Sequence, residues 1–508
     1  VIGKLPKRPW TMRSTRRTFL AAVAAVAAGA AGIYAARSAH LVAGSEPRPL
    51  RIPPLLDARK QGQAIALSVQ AGTTEFFPGR ESETLGYNGA YLGPTIRMHR
   101  GDDVQLSVAN SLREATTVHW HGLVVPGELD GGPHQLIGPG ATWRPVLPVR
   151  QSAATLFYHS HVHGETARQV YLGLAGVLIV GDDAEAALNL PSEYGIDDIP
   201  LVLQDRQFEA GRLVLPSGMM TLMEGRRGDT LLVNGTPNAF ARVPARRIRL
   251  RLVNGSNARF YHLSFDDGRT FQWIASEGGL LEAPVELRAL TLAPGQRAEI
   301  LVDFSTGGSA TLETARDSNL PMVGMMGRLR GSLAPERQPV LAFDAGVPGE
   351  PPIPIPARLA VREHANPAQA VRRRRFVLGM GMEGMAGGGM MGRGMMGGGM
   401  GMATINGRAF DMARIDERVR LGDTEIWEVS GEMMAHPFHV HGVHFEVLSR
   451  AGARPDVLDQ GLKDTVVVQE PVELLVRFTQ PAVNAPFMYH CHILEHEDNG
   501  MMGQFATD

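Results

Sequence analysis

With a single cysteine, Cys491, in 508 residues, the chain cannot build a disulfide framework. Charge of one sign is not in excess either. The formal net charge is −2, so nothing suggests the basic surface that a nucleic-acid partner would need. No stretch offers the roughly 20 strongly apolar residues of a membrane span. The nearest approach, ending at about Ala36, is mostly alanine and glycine. Long runs with a 3.6-residue period are missing as well. In their place stand short alternating apolar segments, punctuated by many of the 59 glycines and 34 prolines. That pattern predicts all-β sandwiches.

The lone cysteine sits between His490 and His492, with His496 and Met501 close behind. In a strand, successive side chains face opposite ways. His490 and His492 then share one face, and Cys491 takes the other. A thiolate, an imidazole and a thioether are donors of a blue copper site, which needs one more histidine. Pairs of the form His-x-His occur at 119/121, 159/161, 161/163, 439/441 and 490/492. Random placement of the histidines would give about 0.6 such pairs. One isolated pair is the wet face of a surface strand. Four clusters, with the only cysteine inside one of them, point to metal instead. A free thiol in an exported protein would be a liability unless a metal occupied it.

The motifs HWHG (His119, His121), HSH (His159, His161), HPFHVHG (His436, His439, His441) and HCHILEHEDNGMM from His490 onward resemble, in order and spacing, the copper signatures of three-domain multicopper oxidases. The likeness is closest to bacterial periplasmic copper-efflux (cuprous) oxidases. It spans nearly the whole chain past the first 45 residues and takes in GPTIR, VPGELDGGP, LLVNG and INGRAFDM. It implies three Greek-key, cupredoxin-like β-sandwich domains and four copper ions. His119 and His439 would hold the type 2 copper. His121, His159 and His492 would hold one type 3 copper, and His161, His441 and His490 the other. His436, Cys491, His496 and axial Met501 would form the type 1 site, with Cys491 passing electrons through its neighbouring histidines. Asp130 and Glu497 match acidic positions used for proton delivery to oxygen; the plainer reading of each is a solvated carboxylate.

The chain divides into a segment 1–45 and three domains, 46–188, 189–348 and 349–508. The first segment carries Arg16 and Arg17 ahead of Phe19 and Leu20 and resembles a twin-arginine export signal. A weak internal repeat at 93–122, 233–262 and 405–442 supports three domains. The second copy holds only His262, so the middle domain is expected to be a metal-free spacer. A surface helix is expected near 185–195, and 345–358 reads as a proline-rich linker. Within the third domain, 379–402 contains nine methionines and twelve glycines, too little to pack a core. Thioethers select Cu(I). By resemblance, Glu432, Met434, Met380 and Glu383 would bind substrate copper.

The resemblance implies a monomeric periplasmic enzyme that couples four one-electron oxidations, of Cu(I) above all, to reduction of O2 to two waters. The mature form would have no membrane partner. The alternative is a laccase-like oxidase of phenols, aromatic amines, Fe(II) or Mn(II), which would share every copper ligand. A third reading is a non-enzymatic copper-binding or cell-division scaffold on the same fold. Such relatives usually lose their ligands, and this chain has lost none. His163 is expected either beside the metal ligands or as a structural residue, and His134, His262 and His444 as ordinary polar residues. Met219, Met220, Met223, Met322, Met325 and Met326 either pack in cores or extend the methionine surface. The arginines at 372–375 read as a solvated face.

Overall fold

Alternation of apolar residues translates directly into two-faced strands. The strand Ala64–Phe77 buries Ile65, Leu67 and Val69 and exposes Ala64 and Ala66. The computed structural model describes residues 46–319, 336–348, 354–380 and 403–508. The segment 1–45, Glu383, nearly all of the methionine-rich stretch, and Met322, Met325 and Met326 lie outside the described residues. Among the described residues no helix is long and apolar enough to cross a membrane.

Among the described residues, six sheets form three pairs, each closed around its own core. In the first pair, the strands Leu55–Asp57, Thr95–His99, Ala175–Gly181, Ala154–His159 and His119–His121 lie side by side in that order. Their partner sheet contains Arg80–Tyr87, Ala64–Phe77 and Asp103–Asn110. Ile65, Val104, Trp120, Leu156 and Leu178 pack between them. The second pair encloses Leu201, Leu250, Phe265, Trp273, Ile300 and Phe304. The third encloses Phe376, Trp427, Phe438, Phe445, Tyr489 and Phe505. Parallel and antiparallel pairings mix within each sandwich, as in Ala175–Gly181, which runs parallel to Thr95–His99 and antiparallel to Ala154–His159. This is the all-β, three-domain cupredoxin-like architecture expected from the sequence.

A recurring asparagine explains the weak internal repeat. Asn88, Asn234 and Asn406 all adopt positive φ, between 50° and 54°. In each case the side-chain oxygen accepts a backbone N–H, from Ser68, Val202 and Val377 respectively. Each side-chain amide then donates to the carbonyl two residues earlier, at Ala66, Pro200 and Arg375. Asparagine tolerates the left-handed conformation and clamps its neighbouring strand at the same time.

The short helix Thr166–Leu172 of the first domain links all three sandwiches. The Asp498 carboxylate of the third domain accepts from the N–H groups of Thr166 and Ala167, at 3.1 and 2.8 Å. At the other end, the Arg206 guanidinium of the second domain donates to the Tyr171 and Val170 carbonyls, at 2.7 and 3.1 Å. Orphan groups at both helix ends are thus satisfied by different domains. Of the surface helix expected near 185–195, only the single turn Asp183–Ala186 is helical, capped by the Asp182 carboxylate, and 187–195 runs on without helix.

Candidate metal centre

Strand pairing gathers the histidines. His159 sits opposite His119, and His439 opposite His490. The strand ends carrying these residues meet where the first and third domains touch. Rings from the two domains stack directly: His119 on His441 with centroids 3.8 Å apart, and His121 on His439 at 3.7 Å.

The ligand atoms of His119, His121 and His439 lie within 4.8 Å of one another. The same holds for His121, His159 and His492, and for His161, His441 and His490. A fourth such group, His436, Cys491 and His496, stands apart from these. The structure thus brings together the histidines and the cysteine named by the resemblance, although His121 joins the His119–His439 pair and falls in two groups. The Cys491 sulfur is 3.4 Å from His436 Nδ1 and 3.6 Å from His496 Nδ1. Met501 is fully buried, its N–H donating to the His496 carbonyl and its carbonyl accepting from Cys491 N–H.

Most of these imidazoles spend one nitrogen on the protein, and His492 spends neither. His119 Nδ1 donates to the Asp130 carbonyl at 3.0 Å, and His159 Nδ1 to the Ser160 carbonyl at 2.8 Å. His439 Nδ1 donates to the Asp464 carbonyl at 2.8 Å. In the smaller group, His436 Nε2 donates to the Glu432 carbonyl and His496 Nε2 to the Met223 carbonyl. The opposite nitrogens are left over. His119 Nε2, His121 Nδ1, His159 Nε2, His439 Nε2 and both His492 nitrogens are buried without a hydrogen-bond partner. Nε2 atoms of His161 and His441 crowd that of His490 at 3.2 and 3.1 Å. Buried polar atoms are normally satisfied, so converging orphaned imidazole nitrogens fit a metal ion. Imidazole, thiolate and thioether suit copper.

Burial keeps the donors neutral. It pushes His436 down to about 4 and His496 to about 3. In the larger group, burial and then neighbouring imidazoles hold His121, His161 and His441 well below the ordinary histidine value. The Cys491 thiol moves the other way, raised by burial.

Both acidic candidates touch ligand histidines. Asp130 accepts from His441 Nδ1 at 2.8 Å and lies 3.3 Å from His119 Nδ1. Glu497, fully buried, lies 3.3 Å from His161 Nδ1 and 3.3 Å from His490 Nδ1. Neither is a solvated carboxylate. Sequence reasoning passed over Asp464, which accepts from His121 Nε2 at 3.0 Å and is fully buried. Its only signal was a carboxylate in a valine-rich segment, KDTVVV.

The proposed substrate-copper residues are placed unevenly. Met434 and Met380 both pack in the third-domain core, whereas Glu432 is exposed. Met433, not Met434, is the exposed methionine, with φ at 67°. Met219 and Met220 are exposed on the helix Met219–Glu224, beside Met223. His163 packs edge-on against Phe410, and His134 bonds Gln504. His262 bonds Thr291, and His444 bonds the Gly122 carbonyl. Of the four arginines, Arg374 is buried and bonds Glu425, so that face is not wholly solvated.

Three family models described as multicopper oxidase match residues 68–185, 204–310 and 385–508. A cell division protein FtsP of Pectobacterium atrosepticum is 39% identical over 502 residues, covering 98% of this chain and 99% of that protein. The Escherichia coli K12 protein of the same name is 38% identical over 472 residues, covering 92% and 94%. Among solved structures, the laccase-like multicopper oxidase CueO of Ochrobactrum sp. is 40% identical with a TM-score of 0.80. That match covers 91% of this chain and 100% of the Ochrobactrum chain.

The curated relatives correct the functional expectation. An oxygen-reducing enzyme oxidising Cu(I), or alternatively phenols, aromatic amines, Fe(II) or Mn(II), is not what the curated relatives similar over nearly the full chain are named for. The physical reason is that ligand geometry decides which ions are held. It does not decide what donates electrons to them, and one fold hosts several roles. On its three matched domains, its full-length relatives and its shared fold, the chain belongs to the multicopper oxidase family.

Proposed function

We propose that this protein acts in cell division as a copper-holding member of its family, with the metal a resident part of the domain interface. The division role is supported by the name of its relatives at 38–39% identity over 92–98% of the chain. The observation that carries the copper is the set of buried imidazole nitrogens without partners. His119 and His439 would hold one ion, and the two flanking triads would hold a pair. His436, Cys491, His496 and Met501 would hold a fourth. Copper bound there supplies one-electron chemistry and links across the domain boundary. His119, His121, His159 and His161 belong to the first domain, and the remaining ligands to the third. Every ion of the larger group therefore ties one domain to the other, and binding to the folded state alone stabilises it.

Export through the twin-arginine segment places the protein in the periplasm. That route carries folded proteins and suits one whose ligands come from two domains. The test is a chromosomal deletion complemented by wild-type protein or by Cys491→Ser, His119→Ala and His439→Ala variants. Cell length and copper per chain are the readouts. Deletion should lengthen cells, and wild-type protein should restore them and carry copper. Normal division in the deletion strain would overturn the division role. Rapid oxygen uptake with Cu(I) or a phenol would reinstate the oxidase that the relatives argue against.

A further inference from the structure

We propose that the turn 294–297 of the middle domain is a positioning element of the histidine group, with Arg297 acting through Asp464. This rests on the copper-holding reading. The middle domain contributes no histidine to any of the four groups. It nevertheless forms one wall of the eight-histidine cluster between the first and third domains, with Gly295 against the His492 ring.

Arg297 is completely buried and uses all five of its N–H donors. Nη1 and Nη2 form two parallel bonds to the Asp464 carboxylate, at 2.7 and 2.5 Å. The other three donors go to the carbonyls of Gly295, Glu277 and Thr155, at 3.1, 3.3 and 3.3 Å. Thr155 belongs to the first domain and Asp464 to the third, so one guanidinium pins all three domains at a single point. The forked geometry of arginine makes this possible; a lysine ammonium cannot reproduce two parallel bonds.

Asp464 passes that order to the imidazoles. Its Oδ1 accepts from His121 Nε2 at 3.0 Å, and its backbone carbonyl accepts from His439 Nδ1 at 2.8 Å. The nitrogens turned the other way, His121 Nδ1 and His439 Nε2, are two of the orphaned atoms. One acidic residue thus sets the tautomer and rotation of a ligand histidine in each of two domains. Arg297 fixes the acid.

The rest of the turn supports the same role. Gly295, at φ 79°, lies so close to His492 that a Cβ there would meet the ring at 2.7 Å. Gln296 donates to the Thr465 carbonyl at 3.1 Å. Gly122, immediately after His121, is equally constrained. A Cβ there would stand 2.4 Å from Arg297 Nη2 and 2.7 Å from Asp464 Oδ2.

The experiment compares full-length wild-type protein with Arg297→Gln, Arg297→Lys and Asp464→Asn. Copper per chain is read by mass spectrometry, the Cys491 group by its blue absorption, and the remaining copper by electron paramagnetic resonance. The proposal expects all three variants to stay blue while losing copper from the larger group. Arg297→Lys should not restore that copper, although it retains the charge. A full copper complement with an unchanged resonance spectrum in Arg297→Gln would overturn the proposal. So would a proportional loss of blue and remaining copper in all three variants, which is the mark of a merely structural role. Wild-type protein without copper would fail before any substitution and would remove the copper-holding reading as well.

Discussion

The Cys491 thiol and its two histidines enter copper binding in opposite protonation states. His436 and His496, at about 4 and about 3, already present free lone pairs at neutral pH. The thiol, raised by burial, must lose its proton as the metal arrives. Copper affinity of this group in the metal-free protein should therefore rise about tenfold per pH unit between pH 6 and 8, because one proton leaves per ion. Titration followed at the blue absorption band checks this, and a pH-independent affinity would contradict it. Cys491→Ser should abolish that band and lower the copper content by one ion, leaving the larger group loaded. The ligand residues were legible in the sequence because a lone cysteine between two histidines, and paired histidines elsewhere, are improbable by chance. Asp464 and Arg297 were not. They are 167 residues apart and ordinary in type, and only the fold brings the buried pair against His121. Nor could the sequence say which of Met433 and Met434 faces solvent, since that depends on a backbone that turns to positive φ at Met433.

Among the elements, the clamped turns carry the repeat. Asn234 combines φ 50° with an accepted bond from Val202 N–H and donated bonds to the Arg51 and Pro200 carbonyls. Asn234→Ala loses those bonds and puts a less tolerant residue in the left-handed region. A cost of about 2–4 kcal/mol follows. Chemical denaturation at equilibrium measures it, and an unchanged midpoint would show that the clamp contributes nothing. The same turn is visible in the sequence as Asn-Gly in all three domains, at 88–89, 234–235 and 406–407. In the first domain its counterpart is Asn88, upstream of the 93–122 window, so the sequence repeat appeared weaker than the structural one. The order of the sheets was not legible at all. Parallel neighbours such as Thr95–His99 and Ala175–Gly181 are separated by most of a domain, and nothing local in either strand names the other.

For the molecule as a whole, the interfaces between sandwiches combine buried charge with shared histidines. Arg251 of the second domain bonds Glu299 and the Thr155 hydroxyl of the first domain, while Arg249 bonds the same carboxylate. Burial alone would raise the Glu299 carboxyl, but Arg249 and Arg251 outweigh it and lower it to about 2. A lowered carboxyl contributes stability that is present above its unfolded value and lost as pH falls through the folded one. The contact between the first two domains should thus hold at pH 5–8 and weaken from about pH 4.5 toward pH 2. Glu299→Gln should flatten that acid limb in thermal melts, whereas an unaltered limb would place the acid sensitivity elsewhere. The interface between the first and third domains depends on histidines from both sides. Copper removal by a chelator should therefore lower the melting temperature and separate those domains first, as hydrogen exchange at His119 and His439 would report. The most direct test of the account is the native mass of the protein isolated from its natural source. The account predicts the mass of the folded chain plus four copper ions. The mass of the bare chain, with all the ligand residues intact, would contradict it.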